Sequence, residues 1–280
     1  MNELEAPART TSSDSSRTRL ERVRARHDPR VVIISPPRCG STAFARVFWG
    51  HPRIRYYAHE PFEVTYYDGQ GLDAALAKLE RPLDLTRSYE SAPVGGGLVI
   101  KEMPYQVGRR IDTLLNLASA PVVFLLRDPR LSVASRRRQK IKGGEPPDYP
   151  FIESGWHLLQ RQVDRCRALE RDHVLVDAAD FRARPRRVFA RVFARLGLEF
   201  SPAQLRWRPC AGTLELDNLD GRHRHLYERV LSSAGIQPAR ERLPTLRDFP
   251  EEGGVRAHVR ECLEIYAALR ASPRRITGLD

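Results

Sequence analysis

At Arg30 the chain turns from polar to apolar. The run Val31-Val32-Ile33-Ile34 is short and β-branched, the pattern of a strand buried on both faces. Runs of similar length follow at Ile54 to His59, Leu98 to Lys101, Val122 to Leu126 and Val174 to Val176. Between them apolar residues recur at helical spacing, around Ser41 to Trp49, Leu72 to Glu80, Val107 to Leu117 and Leu131 to Ile141. Strand and helix alternate, which predicts an α/β fold of right-handed βαβ units, a central mostly parallel sheet with helices on both faces. Ligands of such sheets sit at the carboxyl ends of the strands.

Past the breakers Gly143-Gly144-Glu145-Pro146-Pro147, positions Phe151 to Leu169 read as one long amphipathic helix. Arg186 to Leu196 reads as a helix ended by Gly197, and Val255 to Leu269 as a final helix. No internal repeat interrupts this order. Residues 1–28, with a Thr/Ser/Asp patch at Thr10 to Ser16, hold too little apolar surface to offset the entropy of ordering. They are expected to be a flexible arm, disordered or partly helical, leaving 29–280 as a single domain.

Composition narrows the function less than the pattern does. A chain of 280 residues with 41% hydrophobic content supports one sizeable core. Its net charge of +12 suits a nucleic-acid partner, a polyanionic small cofactor, or no site at all in an Arg-rich chain. The four cysteines, Cys39, Cys166, Cys210 and Cys262, stand far apart and at no metal-ligand spacing, so neither a disulfide framework nor a metal site is expected. No segment approaches the ~18 apolar residues of a membrane span, and the first residues carry no signal-peptide core. The expectation is a cytoplasmic protein with no membrane partner.

Chemistry is concentrated where the first strand meets its helix. Ser35-Pro36-Pro37-Arg38-Cys39-Gly40-Ser41-Thr42 leads into the helical stretch Ala43-Phe44-Ala45-Arg46-Val47-Phe48. Such a turn aims successive backbone N–H groups and the positive end of the helix dipole at one spot, a P-loop-like setting for phosphate. Gly40 permits close approach, Ser41 and Thr42 add hydroxyl donors, and Arg38 adds charge with a forked donor. An ordinary turn capped by Ser41 shares the spacing. The ATP-binding pattern GxxxxGK[ST] is not met, because Ser35 or Pro36 stands near its first Gly and Ser41 at its Lys.

A second anchor follows the strand Val122 to Leu126. Arg127 ends that strand, Asp128 stands as N-cap, Pro129 enters the first turn, and Ser135 lies two turns in. Arg127 with Ser135 can hold a second phosphate, separate from the first.

The two segments together resemble the superfamily of sulfotransferases that use 3'-phosphoadenylyl sulfate (PAPS). In that family a PKSGTT or RSGST loop grips the 5'-phosphosulfate and an R-x-P-x5-S element grips the 3'-phosphate. Pro37-Arg38-Cys39-Gly40-Ser41-Thr42 is similar to the first, with Cys39 at the usual Ser, and Arg127-Asp128-Pro129 with Ser135 is similar to the second. Val174 to Phe181 resembles the family's strand and YEDL turn, with Asp177 where an aromatic residue often touches adenine, and Pro185 to Leu198 resembles its helix ending in LGL. The likeness covers roughly residues 30 to 200. It implies PAPS as co-substrate without a metal, and a small-molecule or carbohydrate acceptor rather than nucleic acid.

The resemblance also implies a reaction centre. Glu60, closing Tyr57-Ala58-His59-Glu60-Pro61 after His51-Pro52, resembles the Glu that serves as base in tyrosylprotein, heparan and trehalose-type sulfotransferases. His59 is the substitute base. Lys101 resembles the Lys of the family's KTHLP strand, with Met103 where a catalytic His would stand, and joins Arg38 in stabilising the leaving phosphate. Lys101 paired merely with Glu102 or Glu60 is the competing reading. Arg136 to Lys140 reads as a solvated helix face, and Tyr56, Tyr57, Tyr66 and Tyr67 as either packing or an aromatic wall for an acceptor. A nucleotide-dependent kinase and a basic nucleic-acid-binding protein remain as alternatives.

Overall fold

The computed structural model describes residues 11–87, 96–210, 227–239 and 241–278. Helix α1 (Thr11–Arg26) precedes β1 (Arg30–Ile34), α2 (Ser41–Trp49) and β2 (Ile54–His59). Two helices, α3 (Glu63–Tyr67) and α4 (Leu72–Glu80), lead to the short β3 (Leu83–Asp84) and then to β4 (Gly97–Glu102). After α5 (Pro104–Val107) and α6 (Ile111–Leu117) come β5 (Val122–Leu126), α7 (Pro129–Lys142), α8 (Trp156–Ala168) and β6 (His173–Asp177). The chain continues through α9 (Ala178–Ala183), α10 (Pro185–Arg195), α11 (Glu228–Leu231), α12 (Val255–Arg270) and β7 (Arg275–Ile276).

Among the described residues the strands form one seven-stranded sheet in the order β3-β2-β4-β1-β5-β6-β7. Every pairing is parallel except that of β2 with the edge strand β3. The β-branched run of β1 sits at the centre because both of its faces are covered. Val31 and Ile33 join Val99, Val123, Leu125, Val174 and Val176 in a core closed by α2, α9 and α10. Val32 and Ile34 join Leu98, Ile100, Phe124, Leu126 and Leu175 in a core closed by α1, α4, α6, α8 and α12. Strand alternation thus feeds two apolar layers from one strand.

Rings lock α2 against the first layer. Phe44 lies 4.9 Å from Phe189 and 5.4 Å from Phe181, while Phe48 stacks on Phe193 at 4.5 Å. At the other end of α2, the buried Arg46 reaches across to carbonyls far along the chain. It donates to Arg208 O at 2.7 Å, to Leu231 O at 3.3 Å and to Val230 O, and lies over the Trp207 ring at 5.0 Å.

Two sequence expectations are corrected, and of the two readings of the arm the helical one applies. The arm is a helix over Thr11–Arg26, docked on α4 through the buried Val23, a Ser16 Oγ donation to Asp73 at 2.7 Å, and ion pairs of Arg19 and Arg22 with Glu80. Its apolar content is low, as read, but polar partners on α4 supply the anchorage; residues 1–10 lie outside the described ones. The helix expected over Phe151 to Leu169 breaks into a 3-10 turn at Phe151–Ser154 and α8. Gly155 between them takes φ 80, and a Cβ there would meet Pro104 and the Pro36 Cα at 3.4 Å, so the break seats this turn against the loop after β1. The helix expected over Val107 to Leu117 is likewise divided, by a 3-10 turn at Gly108–Arg110.

Phe44→Ala should lower the unfolding free energy by about 3–5 kcal/mol, the usual cost of emptying a buried aromatic site. Urea titration measures it, and a loss below about 1 kcal/mol would mean that the ring cluster does not hold α2.

Candidate active site

Register brings the strand ends level. Ile34 stands opposite Glu102 and Phe124, His59 opposite Lys101, and Leu126 opposite Asp177. The residues that follow β2, β1, β5 and β6, with the last two of β4, therefore emerge along one edge, where β1 is flanked by neighbours whose connections run in opposite directions.

The loop after β1 is tightly determined. Ser35 extends the ladder by donating to Glu102 O at 3.0 Å. Arg38 takes φ 64 and Gly40 φ 80, so the backbone turns twice through the left-handed region, at a cost for the non-glycine residue of order 1–3 kcal/mol. Gly40, not Ser41, is the N-cap of α2, so Ser41 and Thr42 open the helix and the Ser-capped turn is not formed. At Gly40 an added Cβ would lie 2.7 Å from Arg182 Nη2. Cys39 is fully buried, and burial pushes its thiol up to about 12, which leaves it a neutral packing group.

The second anchor meets this loop directly. Arg127 Nη1 donates to Arg38 O at 2.6 Å, and Arg38 Nε donates to Ser135 Oγ at 3.3 Å. Asp128 caps α7 by accepting from Arg130 N at 2.9 Å, as the sequence predicts, and Pro129 holds the first turn. The other arm of the Arg127 fork is ion-paired with Glu241.

Glu60 and Lys101 form a buried ion pair, 2% and 1% exposed. Glu60 leaves β2 at φ 51, held by its N–H to Lys101 O at 2.8 Å. Its Oε2 accepts from Gln106 Nε2 at 2.8 Å, and Oε1 accepts from the Tyr227 hydroxyl at 3.3 Å as well as from Lys101. Burial alone would raise this carboxyl, but the Lys101 ammonium and the hydrogen bonds override it and bring Glu60 down to about 2. Burial drives His59 down to about 3, so its ring is neutral at physiological pH, hydrogen-bonded through Nδ1 to Tyr57 and with Nε2 3.5 Å from Glu60.

Sequence reading missed several members of this edge. Glu102, pushed well above the carboxylate range by burial, accepts from the Phe62 N–H at 2.6 Å and the Met103 N–H at 3.2 Å, and so braces the turn that presents Glu60. Gln106, Tyr227, Arg182 and Glu241 carry no motif spacing that would mark them. Of the two readings of the tyrosines, packing holds for the strand pair: Tyr57 belongs to the core, and Tyr56 lies against His27 at 4.8 Å. Tyr66 and Tyr67 instead gather with Tyr105, and Arg136 lies 5.7 Å from the Tyr105 ring centroid and 4.4 Å from that of Tyr149. Arg136 also pairs with Glu153, so the solvated face expected for Arg136 to Lys140 does not include its first residue.

No protein-family model and no curated protein sequence matches the chain. Among solved structures it is similar to the sulfotransferase domain of the Synechococcus PCC 7002 olefin synthase, at 19% identity and TM-score 0.51, covering 86% of this chain and 96% of that one. The chain has the sulfotransferase fold. It is also similar to the sulfotransferase domain of the curacin biosynthetic pathway, at 14% identity and TM-score 0.49, covering 86% and 98% of the two chains. A sulfotransferase from Alicyclobacillus acidocaldarius aligns at 13% identity and TM-score 0.37, over 78% and 88%. Among the described residues no helix is long and apolar enough to cross a membrane.

This sulfotransferase fold buries titratable side chains whose protonation ties stability to pH. Burial holds His27, His51, His59, His173 and His258 below the ordinary value of 6.5, so below that pH the unfolded chain binds the more protons. Glu60, depressed from 4.5 to about 2, adds a loss in the same sense across that lower window. Glu102 acts oppositely, since its raised value makes the folded state the better proton binder. The melting temperature should therefore fall as pH drops from 6.5 toward 4; a constant or rising value across that range would contradict the buried, neutral histidines.

Proposed function

We propose that the chain is a cytoplasmic sulfotransferase that moves the sulfo group of PAPS to a hydroxyl or amine of a small-molecule or carbohydrate acceptor, without a metal. The observation that carries this reading is the meeting of the Arg38 loop, Arg127 and the Glu60–Lys101 pair along one edge of a sulfotransferase fold. PAPS supplies an activated sulfo group and two separate phosphate positions. Arg38, Cys39, Gly40, Ser41 and Thr42 would hold the 5' end, where Gly40 leaves no room for a Cβ and α2 presents its N-terminus. Arg127 and Ser135 would hold the 3'-phosphate.

We assign the base to Glu60. With Lys101 against it, a carboxylate at about 2 is a poor proton acceptor. Lys101, at the end of β4, would also serve the negative charge that develops on the oxygen leaving with the nucleotide. As its ammonium turns toward that charge, the opposing effect on Glu60 weakens and burial raises the carboxylate into a useful range. One ion pair then serves both halves of the transfer, because the base strengthens only as the leaving oxygen is neutralised. The neutral His59 packs edge-on against Tyr227 at 4.7 Å and helps to position Tyr227 rather than take the proton.

Arg127→Ala should weaken adenosine 3',5'-bisphosphate by about tenfold or more, the loss of a charge-assisted contact, and leave 5'-AMP unchanged. Glu241→Gln should tighten the bisphosphate, since Arg127 then has no carboxylate to give up. Calorimetry measures both, and equal losses for the two nucleotides in Arg127→Ala would remove Arg127 from the 3'-phosphate.

Turnover is tested with radiolabelled PAPS against mixed acceptor pools. Glu60→Gln should lower it by about two to four orders of magnitude, the usual share of a general base, with bisphosphate affinity near wild type. If Glu60→Gln stays active while His59→Asn is inactive and folded, the base is His59. Thermal stabilisation by ATP or by short DNA, but not by the bisphosphate, would favour a kinase or a nucleic-acid-binding protein instead.

A further inference from the structure

Arg182 follows Phe181 on α9, the helix that leaves the carboxyl end of β6. Asp177 fixes that exit, capping α9 through the Ala179 N–H at 2.9 Å while accepting from the Tyr266 hydroxyl at 2.6 Å. The side chain then runs back over the Phe181 ring, its Cζ 5.7 Å from the ring centroid, and ends on the loop after β1. There Nη2 is 2.7 Å, and Cζ 3.6 Å, from the point where a Cβ on Gly40 would stand. The glycine is thus the opening through which this guanidinium reaches the loop backbone.

Its hydrogen bonds leave part of the fork unspent. Nη1 donates to Gln237 O at 2.9 Å, but the buried Nε has no hydrogen-bond partner. Arg38 and Arg182 are each depressed by burial and by the charge of Arg127. Three guanidiniums so close are tolerated where an anion lies among them. The Glu241 carboxylate is ion-paired with Arg127 and only offsets, through its charge, part of the repulsion felt by Arg38 and Arg182.

We infer that Arg182 is a further nucleotide-binding residue, a guanidinium that reads the 5'-phosphoryl group seated at Gly40. This rests on the PAPS reading for the identity of the ligand, whereas the contact with the loop does not. Arg127 and Arg182 then divide the work: Arg127 faces Glu241 and the 3' end, and Arg182 lies on the glycine of the 5' loop.

The test compares wild type, Arg182→Gln and Arg182→Lys by calorimetry with adenosine 3',5'-bisphosphate, 5'-AMP and inorganic pyrophosphate. Arg182→Gln is too short to keep the exposed donation to the Gln237 carbonyl, so the melting temperature without ligand should fall by no more than about 2–4 °C. Affinity should drop about tenfold for all three probes, one charge-assisted contact, and Arg182→Lys should recover most of it. Unchanged affinities, or a loss confined to the bisphosphate, would overturn the assignment. A lower melting temperature with unchanged affinities would do so as well, leaving Arg182 a brace for the Gln237 segment. If wild type binds pyrophosphate but neither nucleotide, and Arg182→Gln weakens pyrophosphate, Arg182 stands while the PAPS reading falls. If wild type binds none of the probes, both fall.

Discussion

The edge formed by the strand ends is organised around one interaction, the buried ion pair between Glu60 and Lys101. Taking two charges out of water costs several kcal/mol apiece, and attraction alone does not assure recovery of that cost. Here the remaining carboxylate capacity is filled by Gln106 and Tyr227, and the backbone beneath is fixed by a ladder bond from the Glu60 N–H to Lys101 O. Because β2 and β4 are adjacent and parallel, both charges rise from neighbouring strand ends at the same level. Losing either partner would leave the other a buried charge whose remaining neighbours, Gln106 and Tyr227 among them, carry no opposite charge, so α3, α5 and the Tyr227 segment all bear on the pair.

The fold was largely legible in the sequence because its signal is periodic. Each of the β-branched or apolar runs became a strand, and α2 and α4 have the bounds that their apolar spacing predicts. What escaped was decided by single residues or by distant partners. Gly155 breaks a helix whose periodicity carries straight through it, and α1 is anchored by Asp73 and Glu80, polar residues of α4 that no apolar pattern weighs. Strands of two residues, such as β3 and β7, are too short for alternation to register.

The site divides along the same line. Arg38, Gly40, Arg127 and Ser135 were readable because motif spacing ties each to a strand end, and the chain brings the two motifs into contact. Glu60 and Lys101 were each identified, yet their partnership depends on strand order, in which β4 lies between β2 and β1. Tyr227, Arg182 and Glu241 come from segments that contribute one side chain each. Nothing local distinguishes such residues; only the fold assembles them.

Arg46 ties α2 to the segment that carries Tyr227. A single guanidinium on α2 clasps the carbonyls of Arg208 and Leu231, and the Cys210 N–H donates to Leu231 O at 2.8 Å. Both banks of the stretch 211–226 are therefore stapled to one point. The buried Arg46 thereby sets the position of the segment that lays the Tyr227 hydroxyl 3.3 Å from Glu60. A change on α2 would therefore be felt at Glu60, carried by main-chain carbonyls rather than by any side chain of the ion pair itself.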